Sequence, residues 1–502
     1  MTVSLQDNLG RVSMYFLGID IGSTSIKATV LKASAEGNSV VGRANVDYPT
    51  YYPFEGAVEH SPTEWNQTAV AAVRNAIAPL SEAERNNICG ISFSSQAGSI
   101  YPADENNKPL YNALTWMDRR AVSESEEMIA ALGFDNIRSK CGWRPAPTDC
   151  VAKLLWLKKN NPEVFSAAKH FYTTLESVTG FLCGNFVTDP TNIALSRMYD
   201  YREGKYIPEV LKLLEISEDM LPTVAPCGSL AGELLPRAAA LCGLKEGIPV
   251  YVGAHDQYCA SLGSGVTEPG QLLIATGTAW VVFGVAEHPI TVAPYPAPCS
   301  HPIPERFGVM TSLAGCGGAL GEFAASVGSR PSTLDREISA AGVSQCRNAI
   351  RDLFVCPLPP NPAIPHRDGV CGAIREDGIH APYEIALAAM EGAVFEARAL
   401  IEAFEAAGFP AGRQLIVSGG ASKSSIWMNI MSAVFSDRPI FRLSEPDAPA
   451  LGATMLAATG VGAFESLSAA AKMVRHMPVE VDAEAAEFYS EKYQRYRQWA
   501  LK

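Results

Sequence analysis

No Cys-x-x-Cys pair occurs in this sequence, although it holds 12 cysteines, and neighbours such as Cys141 and Cys150 lack metal-ligand spacing. Scattered thiols exclude a disulfide framework and read as small hydrophobes in a reduced compartment. Apolar runs of about 18 residues are also missing, so no membrane span is expected. The first 13 residues are mostly polar and lack a signal-type apolar core, which makes a cytoplasmic protein the expectation. Positive charge is scarce: 40 Lys and Arg stand against 53 Asp and Glu, a net charge of −13. Such a chain repels phosphate backbones and anionic lipid, which excludes nucleic acid and membrane as default partners. A small nucleotide remains admissible, because local backbone amides and a divalent cation outweigh global charge. Hydrophobic residues make up 47% and charged residues 19% of 502, enough to bury a core and fill two domains.

Tyr15 to Ile21 is a mostly apolar run closed by Gly22-Ser23-Thr24-Ser25. Ile26 to Lys32 and Val40 to Tyr48 follow as further strand candidates, the pattern of an antiparallel start to a sheet. Ser61-Pro62-Thr63-Glu64 reads as a helix start, with Ser61 as cap and Pro62 at the first position. Ile88 to Ser94, Pro249 to Ala254, Gln271 to Thr276 and Leu415 to Val417 read as strands, and Lys153 to Lys159 as helix. Glu384 to Glu405 is the clearest helix, with Leu387, Met390, Val394, Ala397, Ile401 and Phe404 at three- and four-residue steps. Glu384, Glu391, Arg398 and Glu405 fall on another face. A last apolar helix opens at Ala450-Leu-Gly-Ala453.

A strand ends in a small-residue turn three times: near residue 22, at Ala275-Thr276-Gly277-Thr278, and at Ser418-Gly419-Gly420-Ala421. Each turn exposes backbone N–H groups that can cradle phosphate. Asp20 stands just before the first turn, where a carboxylate can hold Mg²⁺, and Lys27 just after it, where an ammonium can meet phosphate. One turn alone is only a turn. Three of them, spread over the chain, are better explained by one nucleotide held between two domains, with a boundary near residue 260.

The order of these segments resembles the FGGY family of carbohydrate kinases, in the actin-like ATPase superfamily, with xylulokinase-like and gluconokinase-like members. The likeness runs from about Tyr15 to about Ala463. It rests on Asp20-Ile-Gly-Ser-Thr-Ser-Ile-Lys27, Gly56-Ala-Val-Glu-His60, Trp116-Met-Asp-Arg119, Lys153-Leu-Leu-Trp-Leu157, Asp189 to Ser196, Gly253-Ala-His-Asp-Gln257 and Ser418-Gly-Gly-Ala421. The resemblance implies an α/β fold of two actin-like (ribonuclease H-like) domains, residues 14–258 and 259–502, with an ATP and sugar cleft between them. It implies a phosphotransferase with an alcohol acceptor, using ATP and Mg²⁺ on a ketose or related polyol. Asp256 matches the catalytic base, and a carboxylate suits it because loose phosphoryl transfer asks for only weak basicity. Asp20 matches the Mg²⁺-associated carboxylate. Gly22, Ser23, Thr24 and Lys27 match the first phosphate loop, Thr276 and Gly277 the second, and Gly419, Gly420 and Ala421 the adenosine side. Gln96, Trp116, Asp118, Arg119, Asp256 and Gln257 match the sugar side, where an indole face packs on sugar C–H groups and polar groups meet hydroxyls. A homodimer is left open.

Departures narrow the acceptor. Where glycerol kinases carry Gln-Arg-Glu and xylulose kinases Gln-Met-His, this chain has Ser95-Gln96-Ala97-Gly98-Ser99. Glycerol is therefore not expected, D-xylulose is in doubt, and the small residues leave room for a larger polyol. Residues 357–365 are proline-rich and expected to be stiff and extended. The roles of His255, His366 and Arg367 are open. The rival reading is an actin-like, ATP-driven conformational protein without sugar phosphorylation, which would lack Trp116-x-Asp-Arg119 and Asp256-Gln257. A Cys-rich zinc cluster of the repressor-type kinases is missing.

Overall fold

The computed structural model describes residues 13–277, 279–292, 295–296, 299–376, 378–410, 413–444 and 447–502. Residues 1–12 and Thr278 of the second turn lie outside the described residues. The chain forms two compact units: residues 1–265 with 299–305 and 447–473, and residues 266–298 with 306–446 and 474–502. The division falls a few residues beyond the expected 258/259 boundary. The expected second domain also loses residues 447–473 to the first unit.

In the first unit, β1 (Met14–Ile21), β2 (Ser25–Ser34) and β3 (Gly37–Asp47) pair antiparallel, and β4 (Ile88–Ser95) joins β1 in parallel. β5 (Leu230–Glu233) and β6 (Pro249–Tyr251) extend the sheet in the order β5-β6-β4-β1-β2-β3, and β7 (Ala254–His255) pairs with β4. The single strand expected over 249–254 is broken, because Val252 turns its N–H to the Ser229 carbonyl (2.8 Å). Alternation along β1 sends Leu17, Ile19 and Ile21 into a core with Trp65, Ala69 and Val73 of helix Pro62–Ile77. That helix starts as expected, with Ser61 accepting from the Glu64 N–H. The other face of β1 carries Phe16, Gly18 and Asp20 toward helix Ala448–Val461. A Cβ on Gly18 would meet the Ala450 carbonyl at 2.2 Å, and one on Gly452 the Cys259 carbonyl at 2.0 Å. These contacts of bare backbone explain why a helix so late in the chain packs in the first unit.

The second unit repeats the pattern. β8 (Gln271–Thr276), β9 (Trp280–Ala286) and β10 (Phe307–Leu313) pair antiparallel, and β11 (Gln414–Gly419) joins β8 in parallel. β12 (Ile440–Leu443) and β13 (His476–Pro478) follow, giving β10-β9-β8-β11-β12-β13. Helix Pro382–Ala406 buries Leu387, Val394 and Ile401 against this sheet's core. Its second face is covered too. Glu391 is buried, accepting from Lys492 Nζ at 2.5 Å and the Tyr489 hydroxyl at 2.9 Å of helix Ala483–Ala500.

Candidate functional site

The two sheets place their ligand-type residues alike, at the C-terminal ends of the central strand and its parallel neighbour. In the first unit Asp20 lies in register with Ser94, and in the second Thr276 lies in register with Gly419.

Asp20 is buried at the end of β1, accepting from the Ser94 hydroxyl at 2.7 Å. Its other oxygen faces Lys27 Nζ at 3.8 Å, and Lys27 also approaches Asp447 at 4.0 Å. Burial pushes the Asp20 carboxyl up to about 6, and the Lys27 ammonium pulls against that rise. This donor set suits a hard cation, since a desolvated carboxylate with only one distant ammonium still has charge to be compensated. The turn itself is closed by Gly22 N–H to the Ser25 carbonyl at 3.0 Å. Thr24 is exposed, while the Ser23 hydroxyl accepts from the Trp116 indole N–H at 2.9 Å. The first turn and the expected sugar platform are thus joined side chain to side chain.

Asp256 opens helix Asp256–Gly263 directly after β7. Its side chain is 26% exposed. His255 Nε2 approaches Oδ1 at 3.1 Å, out of line for a hydrogen bond, so Oδ1 stays unpaired. Burial pushes the Asp256 carboxyl up to about 6, against hydrogen bonds from Gln257 and the charge of Lys27. Burial also lowers His255 to about 4, so the ring is neutral at pH 7 and adds no charge beside the Asp256 carboxylate. The open question of His255 gains a positional answer. Its backbone N–H donates to Thr191 Oγ1 at 2.8 Å. Asp189 in turn accepts from the Thr191 N–H at 2.8 Å and Asn192 Nδ2 at 2.5 Å, and Asn192 Oδ1 accepts from Ser95 at 3.1 Å. The Asp189–Ser196 segment holds the β7 end that carries Asp256.

Among the residues expected on the sugar side, Gln96 is buried, its backbone N–H donating to the Ile21 carbonyl at 2.8 Å and Nε2 to the Tyr48 hydroxyl at 3.3 Å. Its Oε1 and the Gln257 Oε1 are buried without a hydrogen-bond partner. Trp116 is 45% exposed, an indole open to a ligand. Asp118 is wholly buried and accepts from the Val58 N–H at 2.7 Å and from Arg120 Nε at 2.9 Å. Arg119 is exposed, and its backbone N–H donates to the Gly56 carbonyl at 2.8 Å. Two residues gain a role that sequence reasoning did not assign: Arg120, which it did not name, and Lys153, which it named only as part of a motif. Arg120 bridges Asp118 (2.8 Å) and Glu59 (2.7 Å), with its guanidinium over the rings of Phe54 and Trp156. Adjacent arginines give no signal of which one turns inward. Lys153 is fully buried and donates to the carbonyls of Gly98 (2.5 Å), Thr115 (2.9 Å) and Leu114 (3.3 Å). It ties the Ser95–Ser99 segment to the one preceding Trp116.

In the second unit two turns far apart in sequence are welded. Thr276 Oγ1 donates to the Ser418 carbonyl at 2.5 Å and accepts from the Ala421 N–H at 2.9 Å. The Gly420 N–H donates to the Thr276 carbonyl at 2.7 Å. Gly277 is exposed beside them. They open on a cavity of about 410 Å³, within the size range of small-ligand sites, walled by Trp280, Leu320 and Trp427 with Asp335 and Ser424 as polar groups. These walls carry no local motif and were not legible in the sequence. Gly419 has φ +87°, and a Cβ there would meet the Thr276 carbonyl at 2.2 Å. Gly419→Ala is therefore expected to force the two turns apart and weaken ATP binding about tenfold, an effect of about 1.4 kcal/mol within the usual strain range. Calorimetric titration with ATP checks this; an unchanged affinity would show that the turn does not contact the nucleotide.

Models of the FGGY family of carbohydrate kinases match the chain twice, the N-terminal domain over residues 15–263 and the C-terminal domain over residues 272–461. The chain is 27% identical over 478 residues to a xylulose kinase of Bacillus subtilis, covering 95% of this chain and 92% of that protein. It is 28% identical over 507 residues to an L-xylulose/3-keto-L-gulonate kinase of Escherichia coli, covering 97% and 96%. Its fold is similar to the crystal structure of a xylulose kinase from Brucella ovis, with a TM-score of 0.84, 23% identity, and 96% and 98% coverage. No helix among the described residues is long and apolar enough to cross a membrane.

Proposed function

The chain belongs to the FGGY family of carbohydrate kinases, and we propose that it transfers the γ-phosphoryl group of ATP to a hydroxyl of a ketose or related open-chain polyol. The observation that carries this reading is the Asp256 carboxylate, raised toward neutrality and with one oxygen unpaired at the edge of the first unit's sheet. The acceptor hydroxyl donates to this carboxylate. As its oxygen attacks the γ-phosphorus, the proton passes to Asp256 and ADP departs. Gln257 and Gln96, each with an unpaired buried carbonyl oxygen, receive further acceptor hydroxyls. Trp116 packs on the carbon skeleton. Asp118 serves the acceptor by holding this loop through Arg120, while the exposed Arg119 is available to a hydroxyl or acid group.

The second unit supplies the nucleotide pocket, with Gly419, Gly420 and Ala421 on the adenosine side and Thr276 and Gly277 toward phosphate. Gly22, Ser23, Thr24 and Lys27 serve the transferred phosphate. Asp20 would hold Mg²⁺, which when bound would supply charge neutralisation to the phosphate oxygens. The protein works in the cytoplasm, in keeping with the free thiols of its described cysteines.

Relatives are named for xylulose, L-xylulose and 3-keto-L-gulonate, all acceptors that present an open-chain polyol. Ala97 and Gly98 leave room beside Gln96 for a chain of that kind rather than for glycerol. The test is an ADP-release screen with ATP and Mg²⁺ over ketoses, polyols and sugar acids. At least one is expected to turn over at about 1–100 s⁻¹, the ordinary range for kinases. The family match sets aside the rival reading of an ATP-driven conformational protein without sugar phosphorylation, so ATP binding without acceptor-dependent ADP release in any case would place the acceptor outside ketoses, polyols and sugar acids.

A further inference from the structure

Residues 357–365 were expected to be stiff and extended, with the role of His366 open. The proline-rich stretch instead turns at Asn361, whose carbonyl accepts from the Ile364 N–H at 2.9 Å and whose side chain accepts from the Ala363 N–H at 3.0 Å. That turn brings His366 back onto two cysteines. The ligand atoms of Cys356, His366 and Cys371 all lie within 4.8 Å of one another. We infer that these three side chains form a binding site for a thiophilic divalent cation of the zinc class, with the fourth position left to water.

Three independent features support it. The first is the donor chemistry: two sulfurs and an imidazole are the set that a tetrahedral zinc site uses. The second is the ring of His366. Its Nε2 lies 2.7 Å from Glu396 Oε2, while Nδ1 is buried and has no hydrogen-bond partner. A carboxylate on one ring nitrogen orients and enriches the other, and that other nitrogen is the unpaired one. Glu396 is itself wholly buried and fixed by the Tyr496 hydroxyl at 2.5 Å. The third is the backbone frame. Cys356 and the Cys371–Ala373 turn exchange hydrogen bonds, Cys356 N–H to Ala373 and Gly372 N–H to Cys356, each 3.0 Å. The two sulfurs therefore sit on a fixed frame rather than on independent loops.

Binding balances in charge and protons. Each thiol releases one proton, and His366, raised to about 9 against burial by its contacts with Cys356 and Glu396, releases one more; two thiolates with the neutral imidazole then offset a dication, so the buried site carries no net charge beyond that of Glu396. The cation would also join two distant parts of the second unit. Around His366, the Arg367 N–H donates to the Ala500 carbonyl at 2.8 Å and the Lys502 N–H to the Pro365 carbonyl at 2.9 Å. A cation on His366 would thus fasten the proline-rich segment beneath the end of helix Ala483–Ala500.

The test uses the full chain, fully reduced by a non-thiol reductant, stripped with chelator and titrated with Co²⁺ and then Zn²⁺. One equivalent of Co²⁺ per chain is expected to give the sulfur-to-cobalt charge-transfer band and the intense visible bands of a tetrahedral site. Zn²⁺ should displace it and raise the melting temperature. Cys371→Ser, at a half-buried position, should lose the charge-transfer intensity in part and weaken Co²⁺ binding. Glu396→Gln should keep the spectrum and lower affinity about 10–100-fold. A featureless cobalt spectrum in reduced wild type, or the same spectrum and affinity in Cys371→Ser, would overturn the site, as would a Cys356–Cys371 disulfide formed in place of metal uptake. Co²⁺ spectra and metal content read this site without sugar turnover, so their outcome is separate from the kinase reading.

Discussion

Asp256→Asn is expected to reduce sugar phosphorylation by about 10²–10⁴-fold while ATP binding stays near wild type. The substitution keeps size and leaves the His255–Thr191 anchoring of the strand end in place, so what it removes is the proton acceptor. The cavity proposed for the nucleotide is lined by Thr276, Gly420 and Trp427 in the other unit and does not include this residue. Single-turnover phosphorylation together with an ATP titration measures both halves. Wild-type phosphorylation by the variant would remove Asp256 as the base. The pH profile makes the same claim in another form. Burial raises Asp256 to about 6, so the basic form predominates above that pH and is lost as pH falls through it. The rate constant kcat/KM should then fall about tenfold per pH unit on the acid side. Asp20, raised to about 6 by the same cause, takes up a proton in the same window and steepens the limb. Substrate and ATP should not shift the limb above pH 7.

Lys153→Met is expected to lower stability by about 2–4 kcal/mol and to raise the acceptor KM roughly tenfold. The Lys153 ammonium is wholly buried and is satisfied by three carbonyls rather than by a carboxylate. Methionine fills the volume but donates nothing, and the Gly98 carbonyl loses its short charged hydrogen bond. Relief from burying an ammonium offsets part of this loss, which is why the estimate stays below that for a broken buried ion pair. The loss should appear as a drop of several degrees in melting temperature. It should also appear in KM for the acceptor and not for ATP, because the carbonyls belong to Gly98 beside Gln96 and to Thr115 beside Trp116. Equal changes in both KM values would mean that Lys153 supports the unit as a whole and not the acceptor loops.

Particular residues mark how far the sequence could be read. The Asp20 turn, the strand ending at Thr276 and the helix through Glu391 were legible because each is local: a strand ends in glycine, or an apolar residue recurs at helical spacing. Pro249 to Ala254 misled because a β-rich composition does not say where Val252 will turn its N–H. Glu391 was seen on its own face of a helix, but nothing local said that Lys492, about a hundred residues on, would cover it. Asp118 and Arg119 were read together as acceptor contacts. The fold turns the neighbouring Arg120 inward, which no local pattern announced, because Glu59 and the rings of Phe54 and Trp156 converge there.

The sequence by itself determined the class of chemistry: a carboxylate before a glycine turn, a second carboxylate after a strand, and two more small-residue turns, all in an order that resembles one kinase family. Those are contiguous patterns, and short-range sterics and hydrogen bonding are enough to interpret them. Only the tertiary structure decided which side chains finish the site. Trp280, Asp335 and Trp427 share a pocket, Lys153 reaches Gly98, and Cys356, His366 and Cys371 converge, because parallel strand pairing and close packing bring together residues that no local rule connects. The Asp20 turn itself changed least in place and most in meaning, since its Ser23 hydroxyl proved to be bonded to the Trp116 indole.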